Sequence, residues 1–260
     1  MSAGRSIDLN ADVGEGCATD AELVPLVSSV NIACGAHAGD AGTMRAAVAL
    51  ALRHGAAIGA HPGFADREHF GRRELPIAPA EAALLVAAQV RLLDAAAARA
   101  GAAVGHVKLH GALYNQAARD RHLAAAVAAA VATLNASRPV PLALVALAGS
   151  VLLDEARAHG LTALGEAFAD RTYRADGSLS PRSEPGALIT DAAAAASQAL
   201  RIAREGSVVA TDGRVVAVTA ATVCLHGDGD GAVAFARRIR QDLAAAGIAV
   251  RAALAGRRVG

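Results

Sequence analysis

The stretch HVKLHGALYN, His106 to Asn115, sets a lysine, two histidines and a tyrosine within nine residues of a chain otherwise heavy in alanine. Val107 and Leu109 alternate with Lys108 and His110, a period of two, so a strand is predicted. Its apolar residues face one side, while a cation and an imidazole face the other. Gly111 then interrupts before an Ala/Leu-rich stretch. A strand that delivers polar groups at its C-terminal end and passes straight into a helix is one unit of a parallel α/β fold.

The same beat recurs along the chain. Short β-rich runs, SIDLNA, SVNIA, AAIGA, GHVKLH, LALVAL, LTALGE, TVCLH and IAVRAAL, alternate with helical patterns at about 40–54, 79–100, 117–135, 149–159, 187–205 and 229–246. Pro79 opens one helix, and Gly101, Gly160 and Gly247 end that helix and two others, as the left-handed cap position prefers. Strands alternating with helices of this length imply βαβ units and a parallel sheet. Seven or eight units predict a TIM-like (β/α)7-8 barrel; an open doubly wound sheet is the alternative. In VVATDGRVVAV, Asp212-Gly213 is a turn signal between two β-rich runs, which predicts a small antiparallel ribbon. With no linker in view, residues 1–260 are expected to form a single barrel domain.

Composition narrows the function classes. A net charge of +1 gives no reason to expect nucleic acid or a membrane surface as partner. Cys17, Cys34 and Cys224 are odd in number and widely spaced, without a C-x-x-C pair, so neither a disulfide framework nor a cysteine zinc site is indicated. The longest apolar run, Leu123 to Leu134, falls well short of the roughly 20 residues of a membrane span. The N-terminal residues lack a basic segment followed by an apolar run. A soluble, cytoplasmic protein is expected.

Polar residues gather at strand ends. The first strand carries Asp8, Asn10 and Asp12 at alternate positions, followed by Glu15. The second runs into His37 and Asp40, the third ends at His61, and the fourth supplies Lys108, His110 and Tyr114. Glu166, Asp170, Arg171 and Tyr173 follow the sixth, and His226 and Asp228 the last barrel strand. In a parallel barrel the active site is assembled at that end. The two acids of the first strand and Lys108 are expected to satisfy one another, since buried charges are costly unless paired. His37, His61, His110 and His226 lie among glycines in strand-to-helix loops, where backbone can approach a ligand closely. His54, His69, His106, His122 and His159 read as core or surface residues, and Asp40 as either a site residue or a helix cap. The GDGDG run, Gly227 to Gly231, could hold an anion at a helix N-terminus, although its two aspartates argue against a bare phosphate. A tightly bound metal stays open, with Asp12, His37 and His61 as candidate ligands.

The blocks IDLNADVGEG, NIACGAHAGD, GAHPGFADREHFGRR, HVKLHGALYN, EAFADRTYRADGSLSPR and TVCLHGDGDGAVAFARRIR resemble, in order and over nearly the whole chain, the successive motifs of the LamB/YcsF family, the A subunit of bacterial 5-oxoprolinase. Leu109 stands where the family commonly has proline, and Ala36 where phenylalanine is frequent; neither departure removes a polar group. The resemblance implies a seven-stranded barrel similar to sugar-deacetylase folds. It also implies ATP-dependent opening of 5-oxo-L-proline to L-glutamate, with Mg2+ accompanying ATP and separate B and C subunits as partners. A homo-oligomer stays open. Under this reading Asp12, Glu15, His61, Lys108 and His110 are the catalytic candidates, and Asn10, His37, Tyr114, Arg171 and His226 bind substrate. The alternatives are a metal-dependent amide or sugar deacetylase that needs no ATP, and a non-catalytic substrate-binding subunit.

Overall fold

The computed structural model of the chain describes residues 5–226 and 231–254. Its strands are β1 (Ser6–Val13), β2 (Ser29–Ala33), β3 (Ala57–His61), β4 (His106–Lys108), β5 (Ala143–Leu147), β6 (Ala163–Phe168), β7 (Ser207–Val209), β8 (Val215–Ala217), β9 (Thr222–Leu225) and β10 (Ala249–Val250). The helices are α1 (Asp20–Leu23), α2 (Ala41–His54), α3 (Pro79–Arg99), α4 (Gly111–Arg119), α5 (Arg121–Asn135), α6 (Val151–Ala158), α7 (Ala192–Glu205) and α8 (Ala232–Ala245). β1 to β6 and β9 pair in parallel, each with the next, and β9 also pairs with β1. Among the described residues, these seven strands close a barrel. β10 joins only Ser6 and Ile7 and is not a stave. The ribbon predicted around Asp212-Gly213 is the antiparallel pair β7–β8.

Alternation along each strand divides the barrel into two environments. Leu9, Ala11, Val13, Val30, Ile32, Ile58, Ala60, Val107, Leu144, Val223 and Leu225 belong to the apolar core shared by strands and helices. The residues between them fill the barrel, and they are largely polar: Asp8, Asn10, Asp12, Ser29, Asn31, His61, His106, Lys108, Glu166 and Thr222 are all buried. Most parallel barrels fill this space with branched apolar side chains, so the polar interior here marks the site. Room for it comes partly from Gly59 of β3. A Cβ there would lie 2.0 Å from Nε2 of His106.

Helix boundaries follow local capping. Asp40 precedes α2 in a capping box: its carboxylate accepts from the N–H groups of Gly42 and Thr43, while Thr43 Oγ1 accepts from Asp40 N–H. Asp40 is therefore a cap, one of its two sequence readings. The single helix expected at 117–135 is instead two, α4 and α5. Asp120 between them is extended, and its carboxylate caps α5 through the N–H groups of His122 and Leu123. The helix expected from 187 begins at Ala192, where Asp191 caps it, because Leu188 is engaged in a bridge with Arg171. Asp228 and most of the Gly227–Gly231 run lie outside the described residues. Among the described residues, no helix is long and apolar enough to cross a membrane.

Gly59→Ala should force the His106 ring or the β3 backbone to move, at a cost of about 1–3 kcal/mol or more. A urea denaturation midpoint well below wild type is the expected result. Gly55→Ala, where the open side has nothing within 4 Å but φ is +70°, separates backbone strain from this clash.

Candidate active site

The site is built around Lys108, which is only 2% exposed. Its Nζ lies 3.0 Å from Asp12 Oδ1 and 2.9 Å from Glu166 Oε1. It also donates to Asn10 Oδ1 at 3.2 Å and Cys224 Sγ at 3.0 Å. Burial alone would raise the Asp12 carboxyl; His61 and the Lys108 ammonium outweigh it and hold Asp12 well below the usual carboxylate range. Burial likewise opposes charge on Lys108, but Asp12, Cys224 and Glu166 hold its pKa well above that of a free lysine. Lys108 is a fixed cation whose donors are committed.

The second layer keeps these charges in place. Asn10 Nδ2 donates to Glu166 Oε1 and Thr222 Oγ1, and Asn31 Nδ2 donates to Asn10 Oδ1 and Asp12 Oδ1. His106 Nε2 donates to Asn31 Oδ1 at 2.9 Å, and Tyr114 Oη donates to Glu166 Oε2 at 2.9 Å. Asp8 does not join Lys108, contrary to the expectation that both first-strand acids would. It accepts from the Ser28 and Ser29 hydroxyls toward the other end of the strand, and Glu166 takes its place on the lysine. Burial raises the Asp8 carboxyl, with the serine bonds only partly opposing it.

Beside this charged set lies a histidine cluster. His61 Nε2 is 3.2 Å from Asp12 Oδ2 and 3.0 Å from His110 Nδ1. Glu15 Oε1 is 3.2 Å from His37 Nε2, 3.3 Å from His110 Nδ1 and 4.0 Å from His61 Nε2. His37 stacks on His110 with centroids 3.7 Å apart and planes 1° from parallel. Burial pushes the pKa of both His37 and His110 down, so both rings are neutral near pH 7. Glu15, His37, His61 and His110 each offer one ligand atom, all within 4.8 Å of one another. Asp12, a metal candidate from sequence, abuts this group through His61 while its Oδ1 serves Lys108.

Local backbone makes the cluster fit. A Cβ on Gly71 (φ +63°) would lie 2.8 Å from His37 Cβ and 3.1 Å from His110 Cδ2. Phe70 adopts φ 55°, a left-handed conformation costing a non-glycine residue about 1–2 kcal/mol. It places its carbonyl 2.8 Å from His110 Nε2.

His226 directs both its backbone N–H and Nδ1 at the Asp170 carboxylate, at 2.9 Å each, and stacks on Phe168. Burial opposes charge on Asp170, but His226 holds its carboxyl below the usual range. Arg171 is bonded to the backbone carbonyls of Ser180 and Ala187 in its own loop; burial, with Arg182 nearby, lowers its pKa to about 10. Sequence reasoning passed over Asn31, the Lys108–Cys224 contact and His106 as a bonded member of the site. A lone Asn between Val30 and Ile32 on the inward face was the available signal for the first.

Residues 7–258 match the family described as the LamB/YcsF family. The chain belongs to the LamB/YcsF family. Among solved structures, it is similar to the lactam utilization protein from Thermus thermophilus, with 47% identity and a TM-score of 0.88 over 95% of this chain and 99% of that one. A candidate cellobiose-phosphate cleavage protein from Enterococcus faecalis aligns over 96% of this chain and 98% of that one, at 12% identity and a TM-score of 0.53. That second likeness concerns the fold alone. In this LamB/YcsF chain, the polar barrel interior and the histidine cluster both lie within the matched span.

Lys108→Met should leave Asp12 and Glu166 buried and uncompensated, destabilising the chain by about 3–5 kcal/mol. Adding Asp12→Asn and Glu166→Gln to that variant should restore much of the loss, read from urea denaturation of all three proteins. A pH effect is expected from His106, whose pKa burial and the Lys108 charge lower to about 3, against 6.5 for the free ring. The folded ring stays neutral while the unfolded chain takes up a proton below pH 6.5. Its stabilising contribution is complete above that pH and is lost as pH falls toward 3, by at most about 1.4 kcal/mol per unit. Denaturation at about pH 7, 6 and 5 should show a shallower decline for His106→Asn than for wild type.

Proposed function

We propose that this chain is the A subunit of a 5-oxoprolinase, opening 5-oxo-L-proline to L-glutamate with cleavage of ATP to ADP and phosphate, together with B and C subunits. The observation that carries the reading is the buried Lys108–Asp12–Glu166 set beside a histidine cluster at the C-terminal ends of the strands. It occurs in a chain 47% identical to a lactam utilization protein.

A five-membered lactam is a stable amide, so its carbonyl must be activated. In the proposed reaction the amide oxygen takes the γ-phosphoryl group as the bond to ADP breaks. Water adds to the activated carbon, the ring C–N bond breaks, and the nitrogen takes a proton. A second water then releases phosphate from the acyl phosphate, leaving glutamate. Mg2+ belongs with the ATP phosphates. Within this scheme Lys108 acts as a fixed positive charge, because its donors are already committed. Asp12 and His61, 3.2 Å apart, are placed to take and return protons. Tyr114, through Glu166, holds the lysine's second anion in position.

A second reading, ATP-independent metal-assisted amide hydrolysis, draws support from the donor cluster at Glu15, His37, His61 and His110. One assay separates the two: glutamate release from 5-oxoproline by this chain with the B and C proteins, with and without ATP. ATP-dependent glutamate and ADP are expected, and no glutamate from the full set overturns the main proposal. In the same assay, His61→Asn keeps a donor toward the Lys108 carbonyl but removes the inward nitrogen. It should cut turnover by about a hundredfold or more.

A further inference from the structure

We propose that His61, His110 and Glu15 form a binding site for one divalent transition-metal ion, with His37 as the partner that orients Glu15. This inference stands apart from the lactam reading, and the ion is distinct from the Mg2+ that accompanies ATP.

Backbone carbonyls fix one proton on each ring. His61 Nδ1 is 2.8 Å from the carbonyl oxygen of Lys108, and His110 Nε2 is 2.8 Å from that of Phe70. A carbonyl only accepts, so each ring places its N–H there. With both rings neutral, the remaining nitrogens, His61 Nε2 and His110 Nδ1, carry lone pairs, and they face each other at 3.0 Å. Glu15 Oε1, another acceptor, lies 3.3 Å from His110 Nδ1 and 4.0 Å from His61 Nε2. Three electron-pair donors converging in a buried space repel one another unless a cation lies between them.

The spacing suits a metal. Nitrogen and oxygen ligands about 2.1 Å from a tetrahedral ion lie about 3.4 Å apart, and the distances here bracket that value. Two imidazoles with one carboxylate are a familiar set for borderline divalent ions and leave coordination positions open. Magnesium prefers oxygen ligands and suits this set poorly. Both carbonyl bonds fix ring orientation, as the outer partners of metal-bound histidines commonly do. His37 has a different role. Its plane is within 1° of His110 at 3.7 Å, so both rings cannot aim at one ion without a tilt. Its Nε2 instead meets Glu15 at 3.2 Å.

The ion's open positions would accept a carbonyl oxygen or water, polarising the first or acidifying the second. Asp12 Oδ2, 3.2 Å from His61 Nε2, stands beside that position.

The test uses the full chain, stripped with a chelator and titrated with Co2+. One equivalent should bind with visible d–d absorption, and Zn2+ should displace it. His110→Gln and Glu15→Gln should each abolish that absorption. His37→Gln should keep it with affinity weakened about 10- to 100-fold. Because substitutions could unfold the chain, 15N shifts of the wild-type histidine rings give a second readout. On adding Zn2+, His61 Nε2 and His110 Nδ1 should move while His61 Nδ1 stays in place. Absent Co2+ absorption in the folded wild type, or absorption unchanged in both ligand variants, overturns the proposal. So do unmoved ring nitrogens, and the two imidazoles are then joined by a proton.

Discussion

The structure depends on one buried ammonium. Taking Lys108 and two carboxylates out of water costs several kcal/mol per ion, and only close, saturated geometry offsets it. β1 supplies Asp12 and Asn10, β4 the lysine, β6 Glu166, and β9 both Cys224 and Thr222. Four strands of the ring must therefore be in register for the charge to be tolerated at all. Barrel closure and charge compensation are one condition, since a slip of one residue would turn each of these groups into the apolar layer outside.

From that centre the interior is graded along the axis. At one end, Asp8 is solvated by serine hydroxyls. In the middle, amides and a neutral imidazole bridge the ions, with the ring of His106 seated over Gly59. At the C-terminal end the groups are histidines and Glu15. The close approach of Gly71 to two of these rings, and the left-handed backbone of Phe70, localise strain beside the same cluster. Unfavourable backbone persists where surrounding structure over-determines it, and such sites tend to be functional.

The barrel was legible in the sequence because its signals are local: alternation of two, helical caps, and polar residues that recur after each strand. Lys108 and His110 could be assigned a common direction from parity alone. What parity could not supply was depth. Asp8, Asn10 and Asp12 share a face, yet they sit in successive layers, so only the upper acid reaches the lysine. Glu166 lies 58 residues from Lys108, and only ring closure brings it near. The break at Asp120 was hidden because an alanine-rich helical pattern continues on both sides, and one capping carboxylate decides it. Arg171 reads as an anion-binding residue by type, but its loop carbonyls engage it first.

These layers divide the chemistry between two kinds of group. The lysine is charged, saturated and immobile, so it sets a field but has no spare proton to give. The histidines beside it are neutral where burial holds them so, as at His37 and His110. The N–H groups of His61 and His110 are directed at backbone carbonyls. What these two rings turn toward the space between them is therefore basic nitrogen. Asp12 connects the two parts: one oxygen is committed to the cation, the other lies against His61. A fixed cation on one side of a carboxylate and a cluster of lone pairs on the other is an arrangement suited to activating a polar bond. His61 and the lysine keep Asp12 ionised, and Asp12 in turn keeps a negative charge facing whatever cation the imidazoles receive.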